Sequence, residues 1–585
     1  MPRTTADWLV AFDAALQSGT PDGVAALFVS DCYWRDLLAF SWNIITLEGC
    51  PQIVDMLTNT LAAVRPGNWQ IDGAPQGDTA WITFETPHGW GEGQFTLRNG
   101  LCHTMLTSLR DLKGHEELKG PRRPKGVTQG AGRNRQTWAE ARQEQSRRIG
   151  IQDQPYCLII GGGQGGLALG ARLRALGVQF LIVEKNARAG DSWRNRYRSL
   201  VLHDPVWYDH MPYLPFPETW PVFTPKDKMG DWLEAYASLF ELDIWTSSTV
   251  TAAQHDGTRW TVQVDHAGSP VTLTPTQLVF ATGAYGPPRG IDWPGAESFA
   301  GQILHSSAYA QGSAYASKRC VVVGAASSAH DVAMDLWEAG AEVTMIQRTP
   351  TIVVRSETLM DLGFEIYSEA AVASGITVEK ADMISAATPY GLFTAGQQAL
   401  YRKIRVQDMA FYDRLAASGF ALDFGADDSG LMIKALRTAS GYYIDVGASD
   451  LIIGGQISVI SGDAVASVTP TGLRLSSGRT VPADVIIACT GFQSMNETVA
   501  HVVSRDVADA VGPCWGLGSG VRGDPGPWLG ELRNMWKPTA QEGLWFHGGN
   551  LALSRFYSRF VALQIKARLE GIPTPVYGRP LAREN

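Results

Sequence analysis

The chain has few cysteines, and their spacing suits neither a disulfide framework nor a metal site. The seven lie far apart along 585 residues, at Cys32, Cys50, Cys102, Cys157, Cys320, Cys489 and Cys514. No two of them form a C-x-x-C or C-x-x-x-x-C pair. Because structural disulfides and zinc sites need paired or grouped cysteines, we expect buried thiols in a reducing compartment and no metal.

Long apolar runs and an excess of basic residues are also missing. No uninterrupted apolar stretch reaches the roughly 18 residues of a membrane span, and no basic stretch followed by an apolar core opens the chain. The 58 acidic residues outnumber the 49 basic ones, giving a net charge of −9. Nucleic acids and anionic membranes attract basic surfaces, so we expect neither as a partner, and we expect a cytoplasmic protein.

What the chain has in quantity is length and glycine. With 585 residues, 62 of them glycine, it is too long for one hydrophobic core, which favours three or four domains. Helical apolar spacing followed by alternating strand-like segments predicts an α+β unit from about Ala6 to Asp111. A basic linker at Lys113–Arg135 and a polar helix near Thr137–Arg148 follow. From Tyr156 onward, strand-like and helical runs alternate as in a doubly wound parallel sheet.

The first glycine-rich turn follows the apolar strand Cys157–Ile160 and opens a helix. It reads G-x-G-x-x-G, with Gly161, Gly163 and Gly166 at the three positions. Glycines there permit a tight turn, close approach of backbone amides to a pyrophosphate, and packing of the helix on the strand. A second strand delivers Glu184, 18 residues beyond Gly166, where an acid can accept from a ribose hydroxyl. This combination predicts a dinucleotide site.

A second turn keeps the strand, the first glycine and the helix. After Gly324, however, alanines replace the other two glycines, and Ser327 and Ser328 follow. The next strand ends in Arg348 instead of an acid. An acid would repel a 2′-phosphate, whereas an arginine can pair with it, so this turn favours NADPH over NADH. The alternative is an arginine that forms only a surface salt bridge.

Two dinucleotide sites of different chemistry predict FAD at the first turn and NADPH at the second. Such a protein moves hydride to flavin, and the open question is what the flavin does next. Thiol–disulfide reductases need a close cysteine pair beside the flavin, and the spacing of the seven cysteines excludes them.

Between the two turns lies a segment that fits F-x-G-x-x-x-H-x-x-x-Y, from Phe299 through Gly301 and His305 to Tyr309. At this point the sequence resembles the class B flavin monooxygenases, which include flavin-containing monooxygenases, YUCCA-type enzymes and Baeyer–Villiger monooxygenases. The family places these residues just before the NADPH turn. Tyr309, where Baeyer–Villiger enzymes tend to carry tryptophan, is more similar to the first two groups.

The resemblance also implies site residues. Gly190–Arg194 resembles the G-G-x-W-R flavin loop, with Asp191 at the second glycine, and Leu202–Pro205 is similar to a YUCCA-type substrate-side segment. The predicted cofactor-binding residues are Gly161, Gly163, Gln164, Gly166, Glu184, Lys185, Trp193, Arg194, His203, Thr282, Gly283, Gly324, Ser327, Ser328, Arg348, Thr490 and Gly491. His203 and Asp204 are the catalytic candidates, because they align with an asparagine that many members place near the flavin. A buried packing histidine is the alternative for His203.

The reaction that the resemblance implies begins when NADPH reduces FAD. The reduced flavin then adds molecular oxygen to give a flavin peroxide or hydroperoxide, and one oxygen atom passes to a small organic substrate. Heteroatom oxygenation and Baeyer–Villiger or oxidative-decarboxylation chemistry both stay open. The alternatives are an uncoupled NADPH oxidase that releases hydrogen peroxide and a non-catalytic flavin-binding ligand sensor.

The N-terminal unit resembles SnoaL-like and ketosteroid-isomerase-like cone folds. In such folds a carboxylate can act as a general base, which makes Asp36 a candidate, although a loop-anchoring aspartate is the favoured interpretation. Because cones are common dimerisation scaffolds, the resemblance allows a homodimer.

The predicted architecture is therefore α/β, with two nested doubly wound Rossmann-like dinucleotide-binding domains after an α+β cone. We place the SnoaL-like domain at 1–112, the linker and connecting helix at 113–152, the first part of the FAD-binding domain at 153–312, the NADPH-binding domain with an insertion at 313–488, and the FAD-binding return part with a C-terminal helix at 489–585.

Overall fold

The computed structural model describes residues 3–126, 130–283, 286–524 and 526–579. It confirms the predicted α/β class, with two parallel sheets of Rossmann-like topology preceded by an α+β unit. In the described part of the chain no helix combines the length and apolarity that a membrane crossing requires.

The N-terminal unit contains three helices and one six-stranded sheet. These are α1 (Thr5–Gln17), α2 (Pro21–Ala25), α3 (Cys50–Val64), β1 (Phe28–Leu37), β2 (Ile44–Glu48), β3 (Gly67–Gln76), β4 (Thr79–Glu85), β5 (Gly89–Arg98) and β6 (Leu101–Leu112). The strand order is β2-β1-β6-β5-β4-β3, with β1 and β6 parallel. The SnoaL-like assignment stays a prediction.

Aromatic rings fill the interior of this unit. Trp8 and Phe12 of α1 stack with their centroids 4.8 Å apart, and Trp69 stacks on Phe84 at 4.2 Å. Asp36 is buried beside them, and its carboxylate accepts from Ser41 Oγ and from Thr107 Oγ1, each at 2.6 Å. Those bonds agree with the loop-anchoring interpretation of Asp36.

The chain then passes through α4 and enters the first parallel sheet. The elements are α4 (Trp138–Arg148), β7 (Cys157–Ile160), α5 (Gln164–Ala175), β8 (Phe180–Val183), α6 (Asp191–Arg194), α7 (Lys226–Leu239), β9 (Ile244–Trp245), β10 (Ser248–His255), β11 (Trp260–His266), β12 (Ser269–Leu273) and β13 (Gln277–Phe280). β10–β12 form a separate antiparallel sheet.

The second parallel sheet begins next and carries a large helical insert. Its first elements are β14 (Gln302–His305), β15 (Arg319–Val323), α8 (Ser327–Glu338) and β16 (Glu342–Gln347). The insert contains β17 (Thr351–Arg355), α9 (Ser356–Gly363), α10 (Glu369–Ala373), α11 (Val378–Ala386), α12 (Tyr390–Gln407), α13 (Met409–Ala417), β18 (Leu422–Asp423), α14 (Gly430–Thr438), β19 (Tyr442–Asp445) and α15 (Ala448–Ile453). β17, β18 and β19 pair in parallel.

The remaining chain completes both sheets. It supplies β20 (Ile457–Ser461), β21 (Val465–Thr469), β22 (Gly472–Leu475), β23 (Thr480–Pro482), β24 (Val485–Ala488), α16 (Asn496–Val502), α17 (Arg505–Val511), β25 (Leu544–Phe546) and α18 (Leu551–Leu569). The first sheet has the order β25-β13-β7-β8-β9 and the second β14-β24-β15-β16-β20. β14 thus pairs in the second sheet, although the boundary proposed at residue 312 places it with the first.

Candidate active site

The first glycine turn leaves no room for side chains at two positions where it packs against neighbouring backbone. Gly161 has a φ of +110°, and a Cβ there would lie 2.4 Å from the carbonyl oxygen of Ala281. A Cβ on Gly166 would lie 1.9 Å from the carbonyl oxygen of Gly161, so α5 can pack on β7 only with glycine at this position. Gly163 is the N-cap of α5, whose free amides face the turn.

Glu184 lies beside this turn, as predicted. Its buried carboxylate accepts from the amide nitrogen of Gly162 at 2.6 Å and from that of Asn186 at 2.8 Å. The acid is therefore held at the end of β8, where it can face a ribose. The neighbouring Lys185 is exposed to solvent.

The flavin loop around α6 is held by hydrogen bonds and ion pairs. Trp193 Nε1 donates to Gln164 Oε1 at 3.2 Å, which ties the loop to the start of α5. The Arg194 guanidinium contacts three carboxylates, those of Asp191 at 2.9 Å, Asp231 at 2.9 Å and Glu234 at 2.6 Å. These acids already neutralise Arg194, so the structure gives it a loop-holding role, and its contact with a cofactor stays a prediction.

The second turn repeats the geometry with alanines. Gly324 has a φ of +135°, and a Cβ there would lie 2.5 Å from the carbonyl oxygen of Cys489. Ser327 Oγ donates to the carbonyl of Tyr442 at 3.0 Å, and the Ser328 carbonyl faces Cys489 Sγ at 3.8 Å. Arg348 follows β16 with its side chain exposed, which leaves it accessible to a phosphate.

Two Thr-Gly pairs mark where strands end between the sheets. Gly283 and Gly491 both have positive φ, +113° and +84°. Thr282 adjoins Gly283 directly after β13, and the Thr490 hydroxyl is buried without a hydrogen-bond partner among the described residues. His305 of the linker motif lies 3.1 Å from the carbonyl oxygen of Gly491 through its Nε2. His305 thus contacts the segment in which the chain passes from the second sheet back to the first, in line with the structural role that the resemblance implies.

His203 belongs to a chain of polar contacts that joins the two nucleotide-binding regions. Its Nε2 lies 3.6 Å from Asp331 Oδ1, and Asp331 Oδ2 accepts from the Tyr197 hydroxyl at 2.5 Å. Asp331 lies on α8, directly behind the second turn, and burial raises the pKa of its carboxyl group. Sequence analysis missed this partner because Asp331 follows His203 by 128 residues and no local pattern links them.

The loop after His203 carries a second, acidic group of residues. Burial raises the pKa of Asp204, and it raises the pKa of Asp209 well above its usual range, with the nearby Asp204 charge adding to the effect. Neither oxygen of Asp209 has a hydrogen-bond partner among the described residues. Tyr208 lies between the two acids, and its hydroxyl is 3.3 Å from Nδ2 of Asn550, the N-cap of α18. The structure thus brings Asp204 close to the start of a helix that packs against α5.

The sequence of this chain is similar to those of known flavin-dependent oxidoreductases. A family model described as pyridine nucleotide-disulphide oxidoreductase matches residues 158–421. Indole-3-pyruvate monooxygenase YUCCA1 of Oryza sativa subsp. japonica is 32% identical over 349 residues, which cover 58% of this chain and 77% of the rice protein. The chain is a class B flavin-dependent monooxygenase.

Other relatives of the monooxygenase agree. Probable indole-3-pyruvate monooxygenase YUCCA4 of Arabidopsis thaliana is 28% identical over 343 residues, covering 58% of this chain and 76% of that protein. An ε-caprolactone-bound structure of cyclohexanone monooxygenase has a TM-score of 0.51 at 17% identity, covering 71% and 88% of the two chains. An OTEMO structure with FAD and NADP has a TM-score of 0.50 at 18% identity, covering 72% and 86%. These two structures share the fold.

As a member of this family, the monooxygenase uses FAD and NADPH. The turn at Gly161–Gly166 with Glu184 fits the first nucleotide, because side-chain-free backbone, a helix N-terminus and an acid converge there. The turn at Gly324, with the exposed Arg348, fits a nucleotide that carries a 2′-phosphate. The N-terminal unit lies outside the residues that the family model matches.

Proposed function

We propose that this monooxygenase oxygenates nitrogen or sulfur in a small neutral or cationic organic molecule. One oxygen atom of O₂ enters the substrate, and the other leaves as water with two electrons from NADPH and two protons. Bound FAD, once reduced, supplies the activation of molecular oxygen. The observation that carries the proposal is the acidic loop Asp204–Asp209 beside the start of α18.

The lack of a free cation at this loop argues against an anionic substrate. Arg555, the guanidinium packed against the loop, is bound at 2.8 Å and 2.7 Å by the two carboxylate oxygens of Asp382. Its remaining donor, Nη1, serves the carbonyl oxygens of Tyr208 and His210. A substrate carboxylate would therefore find no free guanidinium in this loop, because Asp382 already neutralises Arg555. In this respect the site differs from what the indole-3-pyruvate named in its relatives' titles would require.

The protonation state of the loop favours one type of oxygen transfer. Burial shifts both carboxyl groups toward the protonated form, against the opposing effects of His203 and Asn550 at Asp204 and of Arg555 at Asp209. We propose Asp204 as the group that keeps the transferred oxygen protonated and His203, held by Asp331, as the hydrogen-bond donor opposite it. A protonated oxygen is electrophilic and attacks soft nucleophiles such as amines and sulfides, whereas attack on a carbonyl carbon needs the anion.

A four-compound panel tests the proposal. The purified yellow protein is supplied with NADPH, oxygen and one of thioanisole, N,N-dimethylaniline, cyclohexanone or indole-3-pyruvate, and oxygenated product and hydrogen peroxide are measured per NADPH. We expect product from the sulfide and the amine and peroxide alone from indole-3-pyruvate. Asp204→Ala should lower product from the sulfide roughly a hundredfold, the lower end of the usual cost of losing a positioned proton donor.

Two results would overturn this assignment. Efficient conversion of indole-3-pyruvate or cyclohexanone, with none of the sulfide or amine, would show that the acidic loop does not select the substrate. Stoichiometric hydrogen peroxide with all four compounds would favour the uncoupled oxidase.

A further inference from the structure

The N-terminal unit and the flavin-binding region share a buried ion pair. Arg35 of β1 donates from Nε to Glu531 Oε1 at 2.6 Å and from Nη2 to Glu531 Oε2 at 2.9 Å. Both side chains are almost fully buried, with exposed fractions of 2% and 3%. Thr46 of β2 adds a hydrogen bond to Glu531 at 2.8 Å. A buried, bidentate ion pair of this kind fixes the relative position of the two segments more than it adds to the free energy of unfolding.

The same guanidinium reaches the helical insert. Arg35 Nη1 donates to the carbonyl oxygen of Ala386, the last residue of α11, at 3.0 Å. Its Cζ lies 5.2 Å from the ring centroid of Tyr390, the first residue of α12. Arg35 therefore holds the corner between these two helices.

A third contact leads from Arg35 toward the flavin-side turn. Arg35 Nη2 donates to the Tyr557 hydroxyl at 2.8 Å, and the Tyr557 ring stacks on Trp536 with centroids 3.8 Å apart. Trp536 Nε1 donates to the carbonyl oxygen of Gly548 at 3.1 Å. The Cα of Gly548 lies 3.3 Å from the Cβ position of Gly165, in the first glycine turn.

The insert connects to the acidic loop at its other end. Asp382 of α11 binds Arg555 of α18, and Arg555 donates to the carbonyl oxygen of Tyr208 at 2.7 Å. Ala386, which contacts the N-terminal unit, therefore lies one turn of α11 away from Asp382. Asp382 in turn contacts the acidic loop through Arg555.

We propose that the N-terminal unit is a working part of the oxygenation site and that Arg35 is its positioning residue. Arg35 binds Glu531, the corner between α11 and α12, and Tyr557. Through these contacts it fixes the position of the acidic loop relative to Gly548, which packs against the first glycine turn. Loss of the Arg35 contacts leaves the reduction of the flavin by NADPH unchanged. It increases the fraction of reduced oxygen that is released as hydrogen peroxide instead of being transferred to the substrate. The proposal rests on the FAD- and NADPH-dependent activity and is independent of the substrate class proposed above.

The test uses the full-length FAD-loaded protein and a variant that removes both charges, Arg35→Met with Glu531→Leu. Removing both leaves neither partner of the ion pair as an unpaired buried charge, and the neighbouring Lys537, whose pKa burial lowers to about 8, can give up its proton when Glu531 is gone. Hydrogen exchange read by mass spectrometry should accelerate on the order of tenfold in segments 380–392 and 547–558, which lose their shared anchor. Flavin reduction by NADPH under anaerobic conditions should stay within about twofold of the parent rate, because none of the contacts of Arg35 described above involves the second turn.

Two further variants, Arg98→Met as a matched control and Arg35→Lys as a conservative substitution, show whether the effects are specific to the Arg35 contacts. Arg98→Met removes an exposed ion pair with Asp31 on the same unit, whose side chains are 43% and 65% exposed, and should change neither reading. Arg35→Lys keeps a cation for Glu531 but cannot also reach Ala386, so it should shift exchange in segment 380–392 in the same direction. With NADPH and a compound of the four-compound panel that the parent protein converts, both Arg35 variants should release a larger share of hydrogen peroxide than the parent. Unchanged exchange in both variants, or the same change in Arg98→Met, would overturn the proposal.

Discussion

Asp209 is a buried acid whose surroundings do not suit a charged carboxylate. It is 1% exposed, and neither carboxylate oxygen has a hydrogen-bond partner among the described residues. Burial and the neighbouring Asp204 raise its pKa well above the usual range, against a smaller opposing effect of Arg555. A protonated carboxyl group is the form that such a site tolerates.

This predicts a pH-dependent effect of Asp209→Asn. In the unfolded chain the acid ionises above pH ~4, whereas in the folded protein it keeps its proton to a higher pH. The wild type therefore loses stability as the pH rises through that window, and the neutral asparagine does not. We expect Asp209→Asn to melt about 2 °C or more above the wild type at pH 8, with the difference shrinking toward pH 5.

Thermal melts of the FAD-loaded proteins between pH 5 and pH 8 measure this difference. Asp72→Asn, at an exposed site on β3, is the control and should follow the wild type at each pH. A wild type that is the more stable protein at pH 8 would show that Asp209 is ionised in the folded state.

At this scale the sequence predicts what local geometry dictates. Gly161, Gly166 and Glu184 lie where the strand–turn–helix pattern places them, because the Gly166–Gly161 and Glu184–Gly162 contacts form within one strand–turn–helix–strand unit. The pairs Tyr197–Asp331 and Arg35–Glu531 join segments 134 and 496 residues apart. Such pairs depend on how whole sheets and units pack, which no local pattern records.

Among the elements, the packing of α5 on β7 makes the sharpest demand on sequence. A Cβ at Gly166 would meet the backbone oxygen of Gly161 at 1.9 Å, and a backbone atom cannot yield without moving the strand or the helix. We expect Gly166→Ala to abolish retention of FAD, because α5 and its N-terminal amides would be displaced.

The FAD-to-protein ratio after gel filtration, read from absorbance, measures this loss. Gly396→Ala is the matched control, because Gly396 lies inside α12 with open space around its Cβ position. Alanine is favoured over glycine by about 1 kcal/mol in a helix interior, so this variant should retain FAD. Full FAD content in Gly166→Ala would contradict the account of the first turn.

The ends of helices and strands follow local sequence, whereas the pairing of strands in a sheet depends on residues far apart in the chain. The polar helix predicted near Thr137–Arg148 is found at Trp138–Arg148, because Thr137 caps it. The C-terminal helix begins at Leu551, since Asn550 caps it and accepts from the amide of Leu553. The strand β14 (Gln302–His305) lies before the domain boundary proposed at residue 312 but pairs with β24, which comes much later in the chain.

Across the whole molecule, three regions converge on α18. Its N-cap Asn550 lies at the acidic loop, Arg555 binds the insert, and Arg559 donates to Glu92 of the N-terminal unit at 2.6 Å. The sequence resemblance accounts for the two nucleotide-binding regions, and the family model matches residues 158–421. The docking of the N-terminal unit is visible only in the assembled structure.

One measurement tests the central claim that two nucleotides cooperate to insert oxygen. The yellow protein is mixed anaerobically with NADPH, then exposed to ¹⁸O₂ and thioanisole, while flavin absorbance and labelled product are followed. We predict that NADPH bleaches the flavin faster than NADH does, because Arg348 can pair with the 2′-phosphate, and that each product molecule carries one ¹⁸O atom. A flavin that stays oxidised with NADPH, or reduced flavin whose electrons all return as hydrogen peroxide with no ¹⁸O in any substrate offered, would contradict the account.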